Sequence, residues 1–517
     1  MSRASLTARA ATLAAGCAAG VVMAVAPAST AAIHPLADRT PAYERATVRV
    51  GGPAAVAPTS TTQGFLGIAT SFTTISALEG PAADQDVAFQ NLLRNLSPGA
   101  PFLLRLGGVS ADTNWWPVPG MRKPRWLGTL TPAWGANLRA LLTALGGKTI
   151  LGVNLEEDPD IDTAIAKAEV AGFDRYVGAD LIDAFELGNE PEYWPLSVVN
   201  GGRGHDTIPA YGQKFSQIAA QLGGVPIAGP AVVGKVWLGE LGTVLDHLPS
   251  HLTLATVHAY PLKNCSESAH PLLSQLLSRS SIQGLGDSVH GMVKAAAAHG
   301  EPLQVDELNG ITCGGKAGLS NSFGEALWAL NALPALWRAG VHGVNFQTVD
   351  GLLNQVIAAK HGTSGWRVSV EPVYYALLAF AQAAPAGSHL LQISTSGPAH
   401  TYQFAVRAPD GSERVVLTNV GSATRTIGVA AAGIHDTGSV SLLSARSLTA
   451  TAGTTLGGQT ISSRTGQLAG TLKLTHLTPN AKGVYAVRVP AHAAAILTFS
   501  PKQVHPSSVP GDSSGGA

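Results

Sequence analysis

The sequence has no excess of charge of either sign. Its 517 residues include 33 Lys and Arg and 33 Asp and Glu, and only 13% of all residues are charged. A protein that binds nucleic acid through its phosphates needs a basic excess, so we expect no nucleic-acid partner. A disordered chain is excluded as well, because 45% of the residues are apolar.

Long hydrophobic runs are also missing, apart from one at the start of the chain. Arg3 and Arg9 precede an Ala-, Val- and Leu-rich stretch from Ala10 to Ala26, and small residues follow it. This order is typical of a secretory signal peptide, so we predict that residues 1–32 are removed and that the mature protein is secreted. A membrane anchor is the alternative, although the run is shorter than the roughly 20 residues that span a bilayer. We expect no stable membrane span.

Cysteine is scarce, with three residues in the chain. Cys17 belongs to the predicted signal peptide, so the mature protein keeps Cys265 and Cys313. An even pair in an oxidising compartment predicts a disulfide. Two free buried thiols remain the alternative, and the lack of a Cys-x-x-Cys pair disfavours a metal site.

Short apolar runs of strand length alternate with Ala- and Leu-rich stretches of helical length in residues 63–386. Eight such alternations predict an α/β fold, a (β/α)8 TIM barrel. A doubly wound sheet is the competing architecture, but the glycine fingerprint expected after its first strand is absent. The predicted barrel strands are Phe65–Ile68, Phe102–Leu106, Thr149–Leu155, Ala184–Leu187, Pro226–Ile227, Ala255–His258, Leu303–Leu308 and Val344–Thr348. The predicted helices include Ala83–Leu96, Thr131–Leu145, Ile161–Ala171, Tyr211–Leu222 and Phe323–Ala339.

The segments outside the predicted barrel differ from it in residue pattern and composition. Residues 387–500 contain strand-like runs separated by Gly, Asn, Asp and Ser turns, which predict an all-β sandwich domain. Residues 33–62 hold one candidate strand, Ala46–Val50. Residues 501–517 are rich in Pro, Ser and Gly and are predicted to be disordered.

Two of the predicted apolar strands each end at a glutamate. Phe185–Pro191 reads Phe-Glu-Leu-Gly-Asn-Glu-Pro, and proline cannot continue a central strand, so the strand must stop near Glu190. Leu303–Gly310 leads to Glu307 and then to a glycine-containing turn. If these are strands four and seven of the barrel, both carboxylates face the mouth where barrel active sites lie.

Two such carboxylates about 5–5.5 Å apart are the machinery of a retaining glycosidase. One attacks the anomeric carbon, and the other protonates the leaving oxygen and then activates water. From the spacing alone, two unrelated buried glutamates in polar networks remain an equal alternative.

The sequence resembles the large clan of retaining (β/α)8 glycosidases and, within it, glycoside hydrolase family 79, the β-glucuronidase and heparanase group. The stretches that carry the resemblance are Leu104–Asp112 with Trp115-Trp116, Phe185–Pro191, Val257–Pro261, Glu307–Gly315 and Ser322–Leu330.

The resemblance implies a role for each matching residue. Glu190 would be the acid/base and Glu307 the nucleophile. Asn189 would hydrogen-bond the sugar 2-hydroxyl, and Tyr260 would donate a hydrogen bond to the nucleophile. Arg105 would lie beneath the site and support the carboxylates.

Further residues follow from the same resemblance. Gln347, Asp112 and Gly314 would contact substrate, and His258 would support the site. The N-terminal strand would join the sandwich domain, and the predicted disulfide would tie the loops after strands six and seven.

The chain departs from the family at two places. No acidic residue follows the first strand, where the sequence is Ser71–Thr74, and Thr312 stands where some uronidases have a tyrosine. The backbone amides of Cys313–Gly315 could still bind an anion, because a glycine-rich turn can present several N–H groups.

These features predict a secreted retaining exo-β-glycosidase that hydrolyses β-glucuronides or glucuronide-containing oligosaccharides, with no metal or cofactor. One alternative is a retaining β-glycosidase of the same clan acting on neutral sugars such as glucosides or xylosides. The other is a non-catalytic carbohydrate-binding barrel. The oligomeric state is left open.

Overall fold

A computed structural model of the chain describes residues 46–54, 65–124, 127–156, 159–196, 207–249, 252–266, 268–397, 399–431 and 437–500. The predicted signal peptide and the predicted disordered tail lie outside these residues.

Strand β1 (Thr47–Pro53) is followed by eight parallel strands that close a barrel in chain order. The last of the eight pairs with the first, which completes the closure. All eight predicted barrel strands are present, so the TIM-barrel prediction is confirmed. The barrel strands are β2 (Leu66–Thr70), β3 (Leu103–Leu106), β4 (Lys148–Val153), β5 (Ile182–Leu187), β6 (Ile227–Val232), β7 (Leu254–Ala259), β8 (Leu303–Leu308) and β9 (Gly343–Gln347).

Strand β6 is longer than predicted. The sequence indicated only Pro226–Ile227, because Gly229 and Pro230 interrupt the apolar pattern that follows. All six residues of β6 are nevertheless buried inside the barrel wall, where parallel strands are covered on both faces.

Helices surround the barrel and connect its strands. They are α1 (Phe72–Glu79), α2 (Val87–Leu96), α3 (Val109–Asp112), α4 (Pro132–Leu145), α5 (Pro159–Phe173), α6 (Ile208–Ala219), α7 (Lys235–Gly239), α8 (Leu241–Asp246), α9 (Leu273–Leu276), α10 (Arg279–Ala298), α11 (Phe323–Ala339) and α12 (Pro372–Ala383). In the described part of the chain, no helix has the length and apolar character needed to cross a membrane.

Helix boundaries follow local capping chemistry. The predicted helix Ala83–Leu96 begins only at Val87, because the Asp86 carboxylate accepts hydrogen bonds from the N–H groups of Ala88 and Phe89. Such an N-cap satisfies backbone donors that have no partner within the helix and thereby fixes where the helix starts.

The second structural region is a mostly antiparallel sheet. Its strands follow the order β15–β14–β18–β12–β11–β10–β1–β13–β17, with β16 paired to β14. These strands are β10 (His389–Thr395), β11 (Thr401–Arg407), β12 (Glu413–Asn419), β13 (Arg425–Ala430), β14 (Gly438–Ser444), β15 (Thr455–Leu456), β16 (Thr475–Leu477), β17 (Tyr485–Val489) and β18 (Ala493–Phe499).

Strand β1 completes this sheet. It pairs antiparallel with β10 and parallel with β13. Val48 and Val50 on β1 pack in one apolar cluster with Val440 of β14 and Val487 of β17. Strands from both ends of the sheet thus enclose a common core, as in a sandwich, and the predicted insertion of the N-terminal strand is confirmed.

The sheet region packs against the barrel at the start of α11. Phe323 and Gly324 donate their backbone N–H groups to the carbonyls of Ala450 and Leu448. Helix α11 is buried along nearly its whole length, so it is covered by the barrel on one side and by neighbouring elements on the other.

Candidate active site

The turn after β5 positions Glu190. Gly188 and Glu190 both have positive φ, at 80° and 46°. Only glycine adopts this conformation without strain, so the turn must be held by its surroundings. Glu190 N–H donates to the carbonyl of Ala231, and the Trp194 indole donates to the carbonyl of Asn189.

The end of β8 positions Glu307. Between Val305 and Glu307, strand β8 has one residue more than its partner strand β7. This β-bulge interrupts the alternation that would put neighbouring side chains on opposite faces. As a result Arg105 reaches both Asp306 Oδ2 at 3.3 Å and Glu307 Oε2 at 3.0 Å.

The two predicted catalytic carboxylates meet at the barrel mouth. One oxygen of Glu190, one oxygen of Glu307 and one ring nitrogen of His258 all lie within 4.8 Å of one another. The side chain of Glu190 is 26% exposed, whereas that of Glu307 is 7% exposed. The two carboxylates are therefore close together but differ in their access to solvent.

Glu307 is held from two sides. Arg105 Nη1 donates to Oε2 at 3.0 Å, and the Tyr260 hydroxyl donates to Oε1. Burial, followed by the charge of Glu307, raises the pKa of Tyr260 well above its usual value. The phenol therefore keeps the proton that it donates.

His258 bridges the site. Its Nδ1 lies 2.8 Å from Glu190 Oε1, and its Nε2 lies 3.4 Å from Arg105 Nη2. Burial alone would lower the pKa of His258, but Glu307, Asp306 and Glu190 together raise it to about 10.

The Nε2 atom faces Arg105 Nη2, whose hydrogens already go to Glu186 and Asn189. With a proton on Nδ1, the ring donates to Glu190 Oε1 whether or not Nε2 is also protonated. The spacing of Glu190, His258 and Glu307 would also suit a metal ion, which would have to displace the Nδ1 proton of His258 to bind there.

Two carboxamides complete the ring of polar groups. Arg105 Nη2 donates to Asn189 Oδ1 at 3.2 Å, which leaves the Asn189 NH2 group for another acceptor. Gln347 Oε1 accepts from Asn354 Nδ2 at 3.0 Å and lies 3.2 Å from the Tyr260 hydroxyl. Predicted site residues from β3, β5, β7, β8 and β9 are thus brought together.

A cavity of about 170 Å³ opens beside Glu307. The loops after β2, β3 and β9 line it, with β8 contributing Glu307. Its lining residues are Thr70, Ser71, Arg105, Gly107, Gly108, Val109, Ser110, Glu307, Gln347, Val349 and Leu352.

Asp112 and Gly314 lie at the edges of this arrangement. Asp112 is 3% exposed, and burial followed by the charges of Glu156 and Glu190 raises its pKa well above the usual value. The Gly314 carbonyl accepts the backbone N–H of Leu353. Neither position is among the residues that line the cavity, so their predicted contacts with substrate stay predictions.

The predicted disulfide between Cys265 and Cys313 is present. It joins the loop after β7 to the loop after β8, with 5.3 Å between the two Cα atoms. The backbone from Cys313 to Gly315 has positive φ throughout, at 57°, 77° and 83°.

Sequence reasoning missed several residues that shape the site. Asp306 precedes Glu307 on the buried strand β8, and a carboxylate in such a strand already indicates a functional or paired group. Its side chain faces the site only because of the bulge. Glu325 on α11 accepts the Gly310 N–H at 2.7 Å and so anchors the turn after β8. Nothing in the sequence pattern of α11 indicates this contact.

No protein-family model matches this sequence, and no curated protein sequence matches it. The predicted membership of glycoside hydrolase family 79 therefore stays a prediction. Solved structures do match. The chain is similar to a 4-O-α-L-rhamnosyl-β-D-glucuronidase from Fusarium oxysporum 12S, at 19% identity and a TM-score of 0.69, over 87% of this chain and 100% of that one.

It is also similar to an arabinofuranosidase from Xanthomonas axonopodis pv. citri, at 17% identity and a TM-score of 0.61, over 88% of this chain and 100% of the other. The chain is similar to an α-L-arabinofuranosidase from Thermotoga maritima as well, at 13% identity and a TM-score of 0.58, over 88% of this chain and 99% of that one. At these identities the likeness shows a shared fold.

Proposed function

We propose that the chain is a retaining glycoside hydrolase. The observation that carries the proposal is the approach of Glu190 and Glu307 to within 4.8 Å at the carboxyl ends of β5 and β8. This spacing suits a double displacement, for which the two carboxyl groups lie about 5–5.5 Å apart, and leaves too little room for the water that an inverting enzyme holds between them. The solved structures that share this fold include glycosidases, which supports the same class.

In the first half of the reaction, an oxygen of Glu307 attacks the anomeric carbon. Glu190 gives its proton to the glycosidic oxygen, the bond to the aglycone breaks, and the aglycone leaves as a neutral alcohol. A glycosyl ester forms on Glu307. Arg105 and Tyr260 hold the attacking carboxylate in place, and His258 orients Glu190 through its Nδ1–H.

In the second half, water takes the place of the aglycone. Glu190 accepts a proton from this water, whose oxygen adds to the anomeric carbon and displaces the carboxylate of Glu307. Two inversions give a product with the β configuration of the substrate. The NH2 group of Asn189 is available for the sugar 2-hydroxyl, a contact that strengthens as charge develops at the anomeric carbon.

Within this class we propose an exo-acting β-glucuronidase. The sequence resemblance supports this substrate, as does the similarity to a structure described as a glucuronidase. In the left-handed turn Cys313–Gly315, which the disulfide ties to the loop after β7, the Gly315 N–H donates to the Thr312 carbonyl, and the N–H groups of Cys313 and Gly314 could receive a uronate carboxylate. We further propose that the enzyme is secreted, in keeping with its disulfide.

A neutral-sugar β-glycosidase is the second candidate, and the cavity favours it. Arg105 is the single cation among the cavity-lining residues, and it is already paired with Glu186 and Glu307. The remaining polar lining consists of hydroxyl and amide groups, which suit sugar hydroxyls.

A panel of nitrophenyl glycosides separates the two candidates. We expect the purified enzyme to hydrolyse the β-glucuronide faster than the β-glucoside, β-galactoside and β-xyloside. Proton NMR of the first product should show the β anomer. An α anomer would contradict the double displacement, and a preference for a neutral glycoside would select the second candidate.

The nucleophile is identified by trapping. A 2-deoxy-2-fluoro glycosyl fluoride of the preferred sugar should label Glu307, as seen by peptide mass spectrometry. Glu307→Gln should abolish both turnover and labelling while the thermal unfolding midpoint stays close to that of the wild type. Label on another residue would remove the assignment.

A further inference from the structure

We propose that Asp306 and Glu186 share one proton beneath the candidate active site, so that Asp306 acts as a neutral positioning residue for Glu307. The role of Glu307 as nucleophile rests on the proposed function. The shared proton does not, because it follows from the contacts within the barrel.

The hydrogens of Arg105 go to Glu186 and Glu307 rather than to Asp306. Arg105 Nε and Nη2 both donate to Glu186 Oε2, at 2.8 and 2.6 Å, and Nη1 donates to Glu307 Oε2. The single hydrogen on Nε is therefore used by Glu186, although Asp306 Oδ2 lies only 3.3 Å from Nε. Asp306 lies near the cation without receiving its hydrogen.

Asp306 also has no other donor among the described residues. No N–H or O–H of a described residue reaches Asp306 Oδ1, Asp306 Oδ2 or Glu186 Oε1. Both side chains are fully buried. A buried carboxylate without a donor is strongly disfavoured, because it loses its hydration and gains nothing in return.

The carboxyl groups of Glu186 and Asp306 share one neighbour, since Arg105 Nε lies 2.8 Å from Glu186 Oε2 and 3.3 Å from Asp306 Oδ2, and a side-chain hydrogen bond joins the two carboxyl groups. Two ionised carboxylates repel at such a contact, whereas one proton between them turns the contact into a hydrogen bond. Burial, followed by the charge of Glu186, raises the pKa of Asp306 well above its usual range. Burial opposes ionisation of Glu186 as well, but Arg105 holds the pKa of that carboxyl below its usual value. The proton therefore resides on Asp306.

The charged groups around the pair are few. Arg105 comes from β3, Glu307 adjoins Asp306 on β8, and His258 Nε2 on β7 lies 3.8 Å from Asp306 Oδ2. If Asp306 were ionised, it would compete with Glu307 for the guanidinium of Arg105. A neutral Asp306 leaves Nη1 of Arg105 to hold the nucleophile.

Substitution of Asp306 tests this arrangement. Asp306→Asn keeps a neutral group that can donate to Glu186, so kcat/KM should fall by less than about tenfold. The alkaline limb of the pH profile, which the proposed mechanism assigns to loss of the proton from Glu190, should stay where it is, because asparagine is neutral like the protonated Asp306. Asp306→Ala removes the hydrogen bond, and the resulting displacement of Arg105 should cost about 100-fold or more.

Infrared spectroscopy gives a readout that does not depend on activity. At neutral pH the wild-type spectrum should contain one protonated-carboxyl C=O band that Asp306→Asn lacks. Glu79→Gln is the matched control. Glu79 is a buried carboxyl at the end of α1 whose burial raises its pKa to about 9, so its loss should remove a different band and leave the kinetic pH profile unchanged.

The outcomes are distinct. No band lost in Asp306→Asn would show that Asp306 is ionised and would overturn the proposal. A folded Asp306→Asn enzyme as impaired as Asp306→Ala would do the same. If the wild-type chain hydrolyses no glycoside, the proposed function fails, and the infrared comparison still decides whether the proton is there.

Discussion

Replacing Tyr260 with phenylalanine removes one hydroxyl group and little else. That hydroxyl donates to Glu307 Oε1 and lies 3.2 Å from Gln347 Oε1. Gln347 keeps its hydrogen bond from Asn354, so the main loss falls on Glu307. The substitution therefore tests how much of the activity depends on holding the proposed nucleophile in place.

The expected magnitude follows from the kind of hydrogen bond that is lost. A hydrogen bond to a charged group is worth about 1.5–3 kcal/mol. Each tenfold change in rate corresponds to about 1.4 kcal/mol, so kcat/KM should fall about 10- to 160-fold. The loss should appear mainly in kcat, because the hydroxyl contacts the carboxylate that is proposed to react and not a group that only binds substrate.

The assay is the initial rate of nitrophenol release from the preferred nitrophenyl glycoside, measured over a range of substrate concentrations. Tyr176→Phe is the matched control, since Tyr176 stacks on Trp116 in the outer helical layer. Both variants should unfold at a temperature close to that of the wild type. Near wild-type activity in Tyr260→Phe would refute the argument that this phenol holds the nucleophile.

Three further predictions follow from the site, the loops and the barrel exterior. Glu190→Ala should impair substrates with poor leaving groups far more than those with good ones, and azide should restore activity by forming a β-glycosyl azide; an α-glycosyl azide would contradict retention. Mass spectrometry without reductant should show Cys265 joined to Cys313, and two alkylatable thiols would oppose this. Glu79→Gln should stabilise the protein at pH 8 by a few kcal/mol but not at pH 4, as measured by chemical unfolding.

The sign of this last effect follows from the folded and unfolded pKa values of Glu79. Burial raises the folded value from 4.5 to about 9. Below pH 4.5 the carboxyl is protonated in both states and has no effect. Between pH 4.5 and 9 only the unfolded chain ionises, so the stability of the wild type falls as pH rises. A glutamine cannot ionise, so equal pH dependence in both proteins would show that Glu79 is not the cause.

The sequence allowed the barrel and its two glutamates to be predicted for one physical reason. A carboxylate at the end of an apolar strand must face the open end of the barrel or be paired inside it, and Glu190 and Glu307 both follow such strands. The periodic apolar pattern defined seven barrel strands closely. It failed on β6, where Gly229 and Pro230 resemble a turn locally but are buried between two neighbouring strands.

The remaining site contacts depend on strand register and on folding, which residue types alone do not encode. A strand pattern places Asp306 and Glu307 on opposite faces, and only the register against β7 shows that a bulge turns both toward Arg105. The Glu325 contact with the turn after β8 joins segments that are close only after folding. Trp115 and Trp116 are packing residues, at 3% and 9% exposure.

The position of β1 has a consequence for biosynthesis. Thr47 donates its backbone N–H to Ser396 Oγ, 349 residues later in the chain. At about 5–20 residues per second, a ribosome needs on the order of 20–70 s to make that interval. Throughout that time β1 has no strand to pair with, while the whole barrel emerges behind it. Anything that shields this short segment during translation, or shortens the wait, should raise the yield of correctly folded enzyme.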